Sequence, residues 1–194
     1  MLSLCKHVVW RMIEERVWGE FGTVEERVLK TSLAIKSELS KFYSEHHKLC
    51  PSDVLTRVPY FSVKKIGAND DRKLKLKAAQ TYGFMLYLIQ KLEKSKSLFE
   101  DASEPLRLKR GLEALYTMIT CWRSAGVCMT EKEQGDAFKN YMRFMYAVRT
   151  IGATDLPKKH ILVHHLSCRH GFMGGGILRE SDQCTLFSSF GYGW

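Results

Sequence analysis

The residues with the most chemistry in this chain fall in one run, PKKHILVHHLSCRH at positions 157–170. On a helix, His160, His164 and Cys168 follow one another at i, i+4 and i+8 and stack along one face. Two imidazoles one turn apart can share a transition metal, and a thiolate suits zinc as a further ligand. Cys168 is two turns from His160, so the three reach one tetrahedral ion only with distortion. A fourth ligand must then come from elsewhere, from His170, Asp182 or Cys184. Zinc is the one cofactor this cluster suggests, with His160, His164 and Cys168 as its candidate ligands. The competing reading is that the histidines line a helix seam, hydrogen-bonded to backbone or carboxylates.

The same run has a basic beginning. Lys158 and Lys159 follow Pro157 in what would be the first helical turn, beside backbone amides that attract anions. They are read as phosphate-facing residues. Catalytic templates fail by contrast. The HExxH glutamate is missing, the glycines at 174–176 are not followed by the Lys-Ser/Thr of a phosphate loop, and there is no GxSxG elbow. Glu14 with Glu15 and Glu25 with Glu26 read as dipole and solubility features. Cys168 beside His164 and His165 lacks a visible group to orient it as a nucleophile. No catalytic residue is assigned, and the balance is against an enzyme.

A second constellation is electrostatic. Lys64, Lys65, Arg72, Lys73, Lys75 and Lys77 crowd into a short stretch with Asp70 and Asp71 between them. With one long helix starting at Asp71, Lys73 and Lys77 would share a face one turn apart, and Lys91, Lys94 and Lys96 would extend the charge to its far end. Such residues contact phosphate without reading bases and give salt-sensitive binding. The alternative is a solvated helix face. Zinc-finger spacing, an RNP aromatic motif and a basic zipper are all missing, so no sequence-specific reader is visible.

These residues need elements to hold them, and helical periodicity dominates the chain. Trp10, Ile13 and Val17 mark a helix over residues 3–18. Thr23 and Glu26 form a capping box ahead of the stripe Val24, Val28, Thr31, Ile35, Leu39 and Phe42, which predicts a helix ending near His47. Pro51 and Pro59 bracket a loop, and residues 67–70 make a second break. From Asp71 to about Lys96, Leu74, Ala78, Tyr82, Met85, Ile89 and Leu92 share a face that Phe84, Leu86 and Leu88 widen, so this helix should be central. Ser103 and Pro105 start the next, with Leu108, Leu112, Leu115, Ile119 and Trp122 inward and Gly126 as its stop. Thr130 and Glu133 repeat the capping box before Phe138, Tyr141, Met142, Met145 and Val148, and that helix should end near Gly152. A last helix opens at residues 155–157. From Gly171 the chain turns to Gly, Ser and aromatics. The expected fold is all-α: a single bundle of five to seven helices over residues 1–172, with an irregular tail over 173–194.

Composition bounds the function. Of the 194 residues 45% are hydrophobic and 26% charged, which is globular rather than disordered. The net charge of +9 is uneven, with 18 Lys and Arg against 11 Asp and Glu in residues 1–97 and 12 against 10 in residues 98–194. A basic first half suits an acidic partner such as nucleic acid or a nucleoprotein. Six widely spaced cysteines without a CxxC fit free thiols in a reducing intracellular compartment, cytoplasm or nucleus, better than a disulfide scaffold. Lys6, His7 and Arg11 interrupt any signal-peptide core, and no apolar run has the length of a membrane span, so no membrane partner is expected.

Residues 156–166, LPKKHILVHHL, followed by Gly171, resemble the PKxHxxxH segment of large helical proteins from eukaryotic mobile elements and virus-like genes. Those proteins carry Gly-Asn-Pro soon after the histidines and an acidic pair later. Here Met173 and three glycines stand in the first place, and Asp182 follows Ser181 without a second acid. The resemblance implies kinship and a helical layout, not a reaction. The expectation is a basic helical interaction module that binds nucleic acid or a nucleoprotein assembly non-specifically. The alternatives are a metal-binding protein centred on His160 and His164, and a structural subunit whose residues 187–194 dock on a protein partner.

Overall fold

In the computed structural model, residues 1–19, 22–68, 74–100, 103–125 and 129–150 are described, and all lie within one unit, Met1–Thr154. They form an all-α fold of six helices, α1 (Leu2–Glu14), α2 (Val24–Leu49), α3 (Val63–Ile66), α4 (Ala78–Lys94), α5 (Glu104–Ser124) and α6 (Glu131–Thr150), with a single 3-10 turn at Lys96–Leu98. Among the described residues there is no strand, and no helix is long and apolar enough to cross a membrane. The helix expected from residues 155–157, the tail at 173–194 and the boundary between residues 172 and 173 lie outside the described residues.

The mixed face of α1 has a simple cause: this helix is surrounded. Leu4, Cys5, Val8, Val9, Trp10, Met12 and Ile13 are all buried, and α1 packs on α2, α4 and α5. It ends at Glu14, short of the expected residue 18. Arg16 takes the left-handed conformation (φ 55°), while Val17 N–H donates to Met12 O and Arg16 N–H to Ile13 O. That pair of bonds is a Schellman closure. Lys6 is buried among these apolar residues, and its Nζ donates to the carbonyl of Ala68.

The capping box of α2 forms as the sequence predicts, with Glu26 N–H on Thr23 Oγ1 (3.3 Å) and Thr23 N–H on Glu26 Oε2 (3.0 Å). Val28, Thr31, Ile35, Leu39 and Phe42 are buried, but Val24 is 45% exposed because the first turn overhangs the core. The box before α6 also forms, Thr130 N–H meeting Glu133 Oε2 at 2.7 Å. Inside α6 the buried residues are Ala137, Tyr141, Phe144, Ala147 and Val148, whereas Phe138, Met142 and Met145 are only half-buried. The contact with α5 selects the small residues: a Cβ on Gly111 of α5 would collide with the Cβ of Ala147. This close approach draws α6 along the outer side of α5. Leu108, Leu112 and Leu115 are buried as expected, and Trp122, near the end of α5, stays exposed.

The central position expected for the fourth helix holds, since α4 packs on α1, α2 and α5. Its start does not. α4 begins at Ala78 rather than Asp71, and Lys77 is its N-cap with extended backbone (φ −72°, ψ 150°). Ahead of it Leu74 and Leu76 are buried while Lys75 and Lys77 are exposed. That is the alternation of extended chain, not the 3.6-residue period of a helix. The leucines are therefore anchored from a segment that the apolar count had assigned to the helix.

Carboxylates tie the helices at their edges. Glu38 of α2 accepts from Tyr87 Oη and Lys91 Nζ of α4, both at 2.7 Å. Glu104 of α5 meets His7 and Arg11 of α1, both at 2.9 Å. Lys109 of α5 pairs with Glu93 of α4 and with Glu113.

Candidate nucleic-acid interface

The basic residues of the first half are brought together by backbone, not by one helix face. α3 is a single turn, anchored by buried Ile66 and ended at Gly67, which takes a left-handed φ of 74°. The returning segment then pairs with it: Lys75 N–H donates to Lys65 O at 3.0 Å. Lys64 and Lys75 are exposed here and Lys65 is half-buried. Lys77 is fixed next in line. Its N–H donates to Gln80 Oε1 (3.2 Å), and Gln80 Nε2 reaches Arg57 O (3.5 Å). One glutamine side chain thus joins Lys77 to the Arg57 backbone. Residues 58–66 and 74–80 together hold Lys64, Lys65, Lys75 and Lys77 and no Asp or Glu.

This differs from the expected geometry. Lys73 and Lys77 do not stack along one helix, because the helix begins after Lys77. Lys91 is also removed from the surface in question: it is held by Glu38 at 2.7 Å and lies over the Trp18 ring at 5.4 Å from its centre. Arg72, Lys73, Lys158 and Lys159 lie outside the described residues, as do His160, His164 and Cys168. Among the described residues, no group of three or more His, Cys, Asp and Glu side chains is placed to hold a metal ion.

Two further residues belong to the surface and were not singled out from the sequence. Tyr60 is 61% exposed between buried Val58 and Phe61, and Phe61 stacks on Phe84 of α4 with ring centres 5.2 Å apart. Anchoring on both sides presents the phenol outward on a fixed backbone. Lys36 of α2 places its Nζ 5.1 Å from the Tyr60 ring centre, a cation–π pair that brings another positive charge to the aromatic. A positive surface with a firmly held exposed aromatic has the two ingredients that strand-binding proteins use, phosphate attraction and base stacking. The only sequence signal for Tyr60 was its place beside Pro59 in a loop.

No family model, no curated protein and no solved structure matches this chain. The functional reading therefore rests on the residues alone.

Proposed function

We propose that this chain is a helical interaction module that binds nucleic acid, or the nucleic acid of a nucleoprotein assembly, through the surface of α3 and the segment before α4. The observation that carries the reading is the 3.0 Å bond from Lys75 N–H to Lys65 O, which merges two lysine pairs distant in sequence into one positive surface. Lysines contact phosphate as flexible point charges, so binding is non-specific in sequence. Tyr60 adds a stacking face that every base can use.

Fluorescence anisotropy of labelled single-stranded and duplex oligonucleotides, with the full chain in a series of salt concentrations, tests the reading. Log affinity should fall linearly with log salt, at about 0.9 per neutralised phosphate on duplex and about 0.7 on single strands. No binding at low salt would sink it.

A further inference from the structure

A second constellation, outside the lysine surface, sits where α2 ends. A cleft of about 170 Å³ opens there between the last turns of α2 and the loop that follows, lined in part by Tyr43, His46, His47, Asp53 and Arg57. Its one carboxylate is already committed. Asp53 Oδ2 lies 3.1 Å from His46 Nε2, and Asp53 Oδ1 accepts from Arg123 of α5, also at 3.1 Å. The Arg123 guanidinium in turn covers the Tyr82 ring at 4.1 Å, which fixes its position. Arg57 and His47 have no carboxylate partner among the described residues. With Asp53 paired to Arg123, the Arg57 guanidinium leaves the cleft with a positive charge, and His47 adds an imidazole at its edge. His46, His47 and Lys48 in the last turn also offset the negative end of the α2 dipole.

Tyr43, which also lines the cleft, carries a neutral hydroxyl. Tyr43 is 4% exposed, and its ring is held against Gly83 of α4, where a Cβ would come within 3.1 Å of Tyr43 Cε1. Its hydroxyl accepts the Val58 N–H at 3.4 Å and so retains its own proton for a further hydrogen bond. Burial pushes the Tyr43 phenol above its usual range, which keeps that proton in place.

A guanidinium, an imidazole and a phenol lining one small cleft match a compact anion with several acceptor oxygens. We propose that this cleft is a phosphomonoester site, in which Arg57 and His47 hold the phosphoryl oxygens, Tyr43 donates a hydrogen bond, and Asp53 positions His46 at the rim. The inference goes beyond the nucleic-acid reading and does not need it. A phosphomonoester reaches such a site either as a small molecule or as the terminal phosphate of a nucleic-acid strand.

The full chain is titrated with phenyl phosphate and, separately, with dimethyl phosphate, a diester of lower charge, while the histidine ring protons are followed by NMR. The expected result is saturable binding of phenyl phosphate at least about ten-fold tighter than of dimethyl phosphate. Arg57→Gln and His47→Ala should each weaken phenyl phosphate binding by about ten-fold, with circular dichroism unchanged. Lys64→Ala with Lys65→Ala should leave it intact while lowering oligonucleotide affinity, which separates this site from the lysine surface. A preference for 5′-phosphorylated over 5′-hydroxyl oligonucleotide identifies the strand end as the source, and equal affinity identifies a free phosphomonoester. The proposal is overturned if phenyl phosphate does not saturate, if both esters bind alike, or if folded Arg57→Gln and His47→Ala bind as well as the unaltered chain.

Discussion

The Lys75 amide donates to the Lys65 carbonyl at 3.0 Å, and this single bond decides how the basic residues of the first half are arranged. α3 lasts one turn and ends at Gly67, which leaves the Lys65 carbonyl outside a longer helix and available to that amide. Lys75 and Lys77 then face solvent by alternation with buried Leu74 and Leu76, on a segment adjacent to that of Lys64 and Lys65.

If that surface contacts phosphates, its lysines should act additively and without sequence preference. Lys64→Ala, Lys65→Ala and Lys77→Ala should each lower the slope of log affinity against log salt by about 1 where the side chain contacts a phosphate. Thermal melting should be unchanged in Lys64→Ala and Lys77→Ala, whose side chains are exposed. Unchanged slopes in all three variants would remove the lysines from the interface.

Gly111 and Ala147 set how closely α5 and α6 approach. Gly111→Val should destabilise the fold by about 1–3 kcal/mol, because the neighbouring Cβ belongs to a helix backbone and cannot swing away. Ala147→Gly in the same chain should recover part of the loss. Urea denaturation of the two single variants and the double variant gives the coupling directly.

The capping box at the start of α2 should be measurable by itself. Thr23→Ala leaves the Glu26 amide without its 3.3 Å partner and should cost about 1 kcal/mol. A chemical denaturation midpoint that does not move would show that the overhanging first turn frays in the folded protein.

Burial makes the protein sensitive to alkali. The Cys5 thiol, fully enclosed in the core, is pushed from 9.0 up to about 12. Tyr87 is also raised, first by burial and then by the carboxylate of Glu38 beside it. Both groups are neutral when protonated and hold their protons more tightly folded than unfolded. Their contribution is fully present below about pH 9 and is lost as pH rises toward the folded values. Stability measured in urea should therefore fall steadily above about pH 9. Maleimide labelling with peptide mapping should find Cys50, which is exposed, modified in the folded protein and Cys5 modified only on unfolding.

Much of the architecture was legible in the sequence. The two Thr-Glu boxes, the long stripe from Val28 to Phe42 and the proline-led start of α5 report local chemistry, and local chemistry does not depend on what the helix packs against. All-α character, the order of the helices and the central place of α4 follow from those signals. The errors fall where a tertiary contact outweighs periodicity. Residues 74–77 read as helix because Leu74 falls one turn before Ala78 on the stripe, yet burial of both Leu74 and Leu76 against the bundle goes with extended chain. On the inward face of α6 the expected Tyr141 and Val148 are buried, but Ala137, Phe144 and Ala147 join them in place of Phe138, Met142 and Met145, with Ala147 against Gly111.

The candidate sites divide the same way. Sequence alone supplied the basic composition of the first half and the residue types that can meet phosphate, because charge is a property of side chains one at a time. It also marked His160, His164 and Cys168, which lie outside the described residues. Tertiary structure decided which charges remain available and which neutralise one another: Lys91 went to Glu38, and Asp53 to His46 and Arg123. It also joined Lys65 to Lys75 and left Arg57 without a carboxylate partner among the described residues, in a cleft that Tyr43 and His47 also line. Ion pairs form between residues distant in the chain, at positions that only the packed helices bring within reach, and no spacing along the sequence encodes them.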